Sequence, residues 1–326
     1  MSNRMSASVS LDLDNLWSYM KTHGTEGWES RPSYYDKFVP HMIDVLDRQD
    51  MKITFFIVGV DADDEKNHAA LRQLAEAGHE FGNHSYEHEP WLHLYSAEQL
   101  EDEIVRTDRA IERVTGQRTV GFRGPGYSWS PDLLRILVRH GHAFDASTLP
   151  TYIGPLARMY YFWTADLSKE ERKQRKGLFG QFSDGIRPLK PYYWDLGNDE
   201  SILEIPVTTI PVVKVPFHFS YLLYLAGYSE KLMMAYLKTA IWMCKITRTE
   251  PSFLLHPLDV IGEDQVEELG FFPGMDKSGA YKTELLVKVL HVLADNFDLV
   301  PMGEHARRIR ERDGLSMRVP TAMNET

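Results

Sequence analysis

Residues 8–14 read SVSLDLD, and their alternation decides how the rest of the chain is parsed. Val9, Leu11 and Leu13 fall on one face with the two-residue period of a strand, while Asp12 and Asp14 share the other face at its C-terminal end. Outward from this stretch, helix and strand patterns take turns. Residues 35–48 form an amphipathic helix pattern, and 51–60 (MKITFFIVGV) a buried strand rich in β-branched and aromatic residues. A helix over 68–77 is stopped by Gly78, and a short strand follows at 79–83. Residues 96–115 form a long helix opened by a capping box at Ser96 and Gln99. A short strand at 119–123, a helix at 131–140 and a strand at 143–145 complete the first half. This rhythm predicts a parallel sheet with crossover helices, either doubly wound or closed into a barrel. The polar motifs sit just past strand ends, where both architectures place active sites.

The rhythm breaks over 148–219. That stretch carries a charge run at 169–176 (KEERKQRK), aromatics at 160–163 and 192–194, and prolines at 206, 211 and 216. The prolines forbid a long helix and predict extended segments and turns, which suits an irregular insertion or cover. The pattern then resumes with helix over 221–247, strand over 252–255, helix over 282–295 and strand over 298–301. The expected organisation is one catalytic barrel over 1–314, interrupted at 148–219, with a mobile polar tail at 315–326.

Composition narrows the class. At about 150 residues per domain, 326 residues suggest two domains, but α/β barrels of this length are common as one. The 36 basic and 47 acidic residues give a net charge of −11, which argues against nucleic acid as a partner. Cys244 is the single cysteine, so no intrachain disulfide forms. The first 15 residues show no apolar stretch before Asp12, and no apolar run is long enough for a transmembrane helix. The expected location is the cytoplasm. Apolar stretches at 221–225 and 232–243 leave room for peripheral membrane contact, although core helices explain them as well.

Chemistry concentrates in a few places. His84 and His88, four residues apart in NHSYEH, fall on one side of a helical turn and can face one cation. Such a pair more often means two unrelated histidines, but Asp14 offers a third hard ligand and would leave a coordination position open for water. Asp12 then stands free to take that water's proton. The bland alternative for the two aspartates is a solvated strand end or an Asx turn. Arg123 precedes a Gly124-Pro125-Gly126 turn, ordinarily a surface feature, whose glycines also let backbone N–H groups approach an oxyanion. His256 follows an apolar strand, and Asp145 ends another; either is commonly structural, and Asp145 is also suited to orienting an imidazole.

Together these residues resemble the NodB-homology polysaccharide deacetylases, carbohydrate esterase family 4. That family's motifs are a strand ending in two aspartates, a histidine pair, Arg-x-Pro-x-Tyr, an aspartate, and leucine closely followed by histidine. Asp12/Asp14, His84–His88, Arg123-Gly124-Pro125-Gly126-Tyr127, Asp145 and Leu254–His256 are similar to them in the same order, over roughly 8–150 and 250–303. The resemblance implies a distorted (β/α) barrel with a long aromatic-rich insertion. It implies Asp14, His84 and His88 as ligands of a divalent metal, zinc (Zn2+) by preference. Asp12 would be the general base, tuned by Arg123; the Tyr127 amide would stabilise the oxyanion; His256, positioned by Asp145, would be the general acid. Many members have adjacent aspartates, whereas Asp12-Leu13-Asp14 looks like an intracellular branch that includes peptidoglycan-deacetylase-like and allantoinase-like amide hydrolases.

The leading expectation is therefore a metal-dependent amide hydrolase that removes an N-acyl group, acetyl foremost, from an amino sugar or glycan precursor on the cytosolic side. A metal polarises the amide carbonyl and lowers the pKa of water from ~15.7 towards ~7, while an acid protonates the leaving amine. The alternative is an allantoinase- or deformylase-like enzyme acting on a small or lipid-linked amide. A degenerate, non-catalytic glycan-binding barrel is more remote, because none of the five motifs is lost. A homo-oligomer is expected.

Overall fold

The computed structural model describes residues 4–153 and 185–320. The first strands are β1 (Ser6–Leu13), β2 (Thr54–Ile57), β3 (Glu80–Asn83) and β4 (Phe144–Asp145). They are followed by β5 (Tyr192–Gly197), β6 (Glu200–Glu204), β7 (Ser252–Leu255), β8 (Asp298–Val300) and β9 (Met317–Arg318). The helices of the first half are α1 (Leu16–His23), α2 (Tyr35–Asp47), α3 (Gly59–Asp63), α4 (His68–Glu76), α5 (Ala97–Thr115) and α6 (Pro131–Arg139). Those of the second are α7 (Phe219–Ala226), α8 (Glu230–Thr247), α9 (Gly279–Asn296) and α10 (Met302–Arg310).

β1 is central. It pairs in parallel with β2, β7 and β8, and β2 pairs in parallel with β3. Residues 120–123 then link β3 to β4: the Arg123 N–H donates to the Asn83 carbonyl at 3.0 Å, and the Phe122 N–H to that of Phe144 at 3.0 Å. β4 pairs with β6, and the chain leaving β6 runs on to β7, where the Thr208 N–H donates to the Ser252 carbonyl at 3.1 Å. Since β7 returns to β1, the ring closes. The fold is α/β, a distorted (β/α) barrel, as expected.

Every residue of β1 is buried, so its polar face is not a solvent face. It lines the barrel interior instead, as strands covered on both sides must. Arg308 donates to Ser6, His305 meets Ser8 at 3.0 Å and Arg123 donates to Ser10 at 2.9 Å, a polar column that leads up to Asp12. The apolar face of β1 packs into the main core with Phe38, Met42, Phe253 and Leu286.

Several boundaries differ from the sequence pattern. The 51–60 strand stops at Ile57, because the Gly59 and Val60 N–H groups turn to the carbonyls of Ser85 and Tyr86 at 2.9 and 3.0 Å. A Cβ on Gly59 would lie 2.4 Å from Thr107 Oγ1 and 3.0 Å from the Tyr86 Cα, so only glycine permits this approach. Residues 119–123 form single bridges through Phe122 rather than a full strand. The 221–247 helix is two helices, with Ser229 capping the second by accepting from the Leu232 N–H. Within 148–219 the described residues hold an antiparallel hairpin, β5–β6, and the tail is tied down where β9 pairs with β5. The aromatics at 160–163 and the charge run at 169–176 lie outside the described residues. No helix among the described residues is long and apolar enough to cross a membrane.

Candidate active site

Strand register brings the separate motifs to one rim. Leu13 pairs with Ile57 and Ile57 with Asn83, so Asp14 and His84, each one residue further on, leave neighbouring strands at the same level. Asn83 bridges Phe122, which brings Arg123 to that layer. Leu11 pairs with Leu255, and His256 follows level with Asp12. This is the C-terminal end of the parallel strands, where (β/α) barrels carry their sites.

Asp14 Oδ1 lies 3.0 Å from His88 Nε2 and 3.5 Å from His84 Nε2. One ligand atom from each of these three residues falls within 4.8 Å of the others. His84 Nδ1 lies 2.6 Å from the Arg123 carbonyl oxygen; an acceptor there keeps the proton on Nδ1 and leaves the Nε2 lone pair facing Asp14. Burial opposes ionisation of Asp14, but the adjacent His88 and His84 imidazoles outweigh it and hold the carboxyl far below its ordinary range. Burial likewise disfavours a charged His84, and the Asp12 and Asp14 carboxylates reverse that effect and raise it. Asp14 Oδ1 is buried without a hydrogen-bond donor, a costly state that a cation relieves. The two imidazoles, the carboxylate and this orphaned oxygen fit a divalent metal of the zinc type.

The histidines do not sit on a helical turn. Ser85 and His88 both have positive φ, 61° and 56°, so residues 84–88 form an irregular loop. Two side chains shape it. Asn83 Oδ1 accepts from the Ser85 N–H at 2.9 Å, while Glu103 Oε2, buried on α5, accepts from Tyr86 and Glu87 at 2.6 and 3.0 Å. Below the ligands, Asp61 accepts from Asn15 at 2.7 Å and from the Trp17 indole at 2.9 Å, and burial pushes its carboxyl up to about 7.

Asp12 Oδ1 takes a 2.7 Å hydrogen bond from Arg123 Nη1. That guanidinium is wholly buried, bonds Ser10 and the Ala146 carbonyl, and stacks over Phe56 at 4.4 Å. Its other neighbours fix it, so Asp12 is held in one orientation beside the Asp14–His84–His88 cluster.

Two expected placements do not hold. Asp145 does not reach His256. It accepts from Ser147 at 2.5 Å and sits beside Glu204 on the paired strand, with burial pushing both carboxyls up. Two neighbouring buried carboxyls disfavour ionising together, so this pair tends to retain a proton. The parallel pairing of Asp145 with Glu204 is what draws it away. The residues beside His256 are Ser220, Asp259 and His218. The Tyr127 N–H, in turn, donates to the Gly124 carbonyl at 2.9 Å inside a tight turn and does not point at substrate. Gly124 makes that turn possible, since a Cβ there would lie 1.9 Å from the Ser128 carbonyl oxygen. Burial and the Asp12 charge keep the Tyr127 phenol protonated.

Glu103, Ser220, His218 and Asp259 went unread in the sequence. A signal existed for Asp259, three residues after His256 in His-Pro-Leu-Asp; none existed for Glu103, which acts from a helix across the fold.

The polysaccharide deacetylase family profile matches residues 27–144. A peptidoglycan deacetylase of Helicobacter pylori is 24% identical over 202 residues, 60% of this chain and 68% of that protein. A peptidoglycan-N-acetylglucosamine deacetylase of Bacillus cereus is 32% identical over 89 residues, so the chain spans only 31% of that relative's length. Among solved structures, a Mycobacterium smegmatis protein described as a polysaccharide deacetylase superposes with a TM-score of 0.61 at 18% identity, covering 100% of this chain and 96% of that one; this likeness concerns the fold. With its motifs gathered at one barrel rim, the chain is similar to the polysaccharide deacetylases over residues 27–144 and shares the fold of the Mycobacterium smegmatis protein.

Proposed function

We propose that this protein is a metal-dependent hydrolase that removes an N-acetyl group from an amino sugar of a glycan or glycan precursor. The observation that carries the reading is the convergence of Asp14, His84 and His88 beside the Arg123–Asp12 pair. Asp14, His84 and His88 would hold the metal, zinc by preference, which when bound supplies Lewis-acid polarisation and a more acidic water. Asp12 accepts the proton from the attacking water, with Arg123 fixing which carboxylate oxygen remains free. His256, with a side chain 25% exposed at the same rim, donates a proton to the departing amine. The Tyr127 hydroxyl, neutral beside Asp12 and Asp14, is a donor suited to the oxygen that gains charge. The peptidoglycan deacetylase names of the relatives support an N-acetyl amino sugar as substrate. A buried free thiol at Cys244 suits a reducing compartment, so the substrate is taken to be met in the cytosol.

The test is acetate release by zinc-loaded protein from N-acetylglucosamine oligomers and peptidoglycan fragments, run beside formamides and ureides. Acetate from the amino sugars supports the proposal. Turnover of the small amides alone overturns the substrate class in favour of an allantoinase- or deformylase-like activity, and no turnover on any amide overturns the hydrolase.

A further inference from the structure

We propose that a hydrogen-bonded chain from His256 through Ser220 to Asp259 orients the general acid, so that Asp259 and Ser220 are its positioning residues. This rests on the hydrolase reading above, in which His256 protonates the leaving amine.

The atoms define a direction. Ser220 Oγ donates to Asp259 Oδ1 at 2.8 Å, and His256 Nδ1 faces the same Oγ at 3.5 Å. A serine hydroxyl has a single proton. With that proton given to Asp259, the serine oxygen faces the ring, and the Asp259 backbone N–H reaches the same His256 side chain across the turn Pro257–Asp259, so the imidazole is held from both sides. The Asp259 carboxylate reaches His256 twice more: Oδ2 accepts its backbone N–H at 2.8 Å and lies 4.0 Å from Nδ1. As the imidazole gains charge, this carboxylate stabilises it without contacting substrate.

The support behind Asp259 is rigid. Pro257 opens the short turn Pro257–Asp259, and the Asp259 side chain is 3% exposed. Fully buried Lys282 donates to the carbonyls of Leu258 and Ile261 at 3.0 and 2.7 Å, clamping the backbone on both sides of Asp259 while its charge offsets the carboxylate. Burial alone would push the Asp259 carboxyl up, and His256, Ser220 and Lys282 oppose that. Asp145 is not a competitor for this role, since it accepts from Ser147 and its strand pairs it with Glu204.

The experiment compares zinc-loaded wild type, Asp259→Asn and Ser220→Ala on two probes. One is an N-acetylglucosamine oligomer, whose amine must be protonated to leave; the other is 4-nitrophenyl acetate, whose phenolate leaves unaided. Asp259→Asn is expected to lower kcat on the amide about 100-fold with KM within twofold, and to change ester hydrolysis less than threefold. Ser220→Ala is expected to lower amide kcat about 10-fold with the same selectivity. Equal losses on both probes, or no loss on the amide, would overturn the proposal. The His256 ring, read by 15N NMR on the zinc-loaded wild type and both variants, is an independent arm that needs no turnover. A His256 ring 15N signal that shifts in both Ser220→Ala and Asp259→Asn supports the chain, and a signal unmoved by either variant refutes it. If wild type turns over no amide, the hydrolase reading fails while the NMR arm still decides the hydrogen-bonded chain.

Discussion

His84 Nδ1 bonds the Arg123 carbonyl oxygen at 2.6 Å, and the side chain of that same arginine holds Asp12 at 2.7 Å. One residue therefore fixes, through its backbone, which nitrogen of His84 faces Asp14 and, through its guanidinium, where the Asp12 carboxylate points. The proposed metal site and the proposed base are thus placed by a single covalent unit, so their separation is set by the geometry of Arg123 rather than by two loops moving independently.

Ligand and base are separable by mutation. Purified wild type is expected to hold about one metal ion per chain in elemental analysis, and His84→Ala close to none. Asp12→Asn is expected to keep the metal and lose ~10²–10⁴ in kcat. An Asp12→Asn variant that turns over at the wild-type rate would remove Asp12 from the base role.

Glu103 is expected to matter to metal affinity from a distance. Its carboxylate takes the N–H groups of Tyr86 and Glu87 inside the loop that carries His84 and His88. Glu103→Ala leaves two amides without their acceptor, at a cost of ~1–3 kcal/mol each where they stay dry. Chelator competition should show metal affinity ~10–100-fold weaker. Unchanged affinity would mean that the loop holds its shape unaided.

The carboxyl pair makes a signed pH prediction. Both Asp145 and Glu204 have raised pKa values in the fold, first through burial, so the folded protein retains protons that the unfolded chain releases. That contribution is present at low pH and is lost as pH rises. Asparagine resembles the protonated acid, so Asp145→Asn should match wild type near pH 5 and melt roughly 2 °C or more above it near pH 8. Thermal melts at the two pH values check this; a constant or inverted difference contradicts it.

Glu250 predicts the opposite slope. Burial disfavours its charge, but His305 and Arg312 prevail and bring it down to about 2. A depressed carboxyl stabilises above its unfolded value of 4.5 and loses that contribution as pH falls towards about 2. Glu250→Gln should therefore lower the stability at pH 7 by an amount on the order of 3 kcal/mol, seen as a lower Tm, with the gap closing as the pH drops below 4. Melting curves across that range measure it.

The barrel and the clustering of Asp14, His84 and His88 were legible because they depend on local signals. Alternation in SVSLDLD, the capping box at Ser96 and Gln99 and the apolar strand before His256 are each contained in a few residues. What escaped depends on register. Asp145 ends a strand as expected, but its pairing with Glu204 is made across an intervening stretch whose pattern gives no partner, and this pairing takes Asp145 from His256. The helical reading of His84–His88 failed for a related reason. Positive φ at Ser85 and His88 is imposed by Asn83 and Glu103, and residue spacing carries no trace of it. The amide of Tyr127 was misassigned because the Gly-Pro-Gly turn closes on itself through Gly124.

The pairing of Met317–Arg318 with β5 has a consequence for how molecules meet one another. In the strand order β4-β6-β5-β9, the two-residue β9 occupies the outside, short and exposed, where β5 would otherwise offer a row of bare backbone donors and acceptors. It works as a stopper against self-association. Trimming the protein before Ser316 would open a sticky margin along the hairpin, and soluble yield would drop with the catalytic rim untouched.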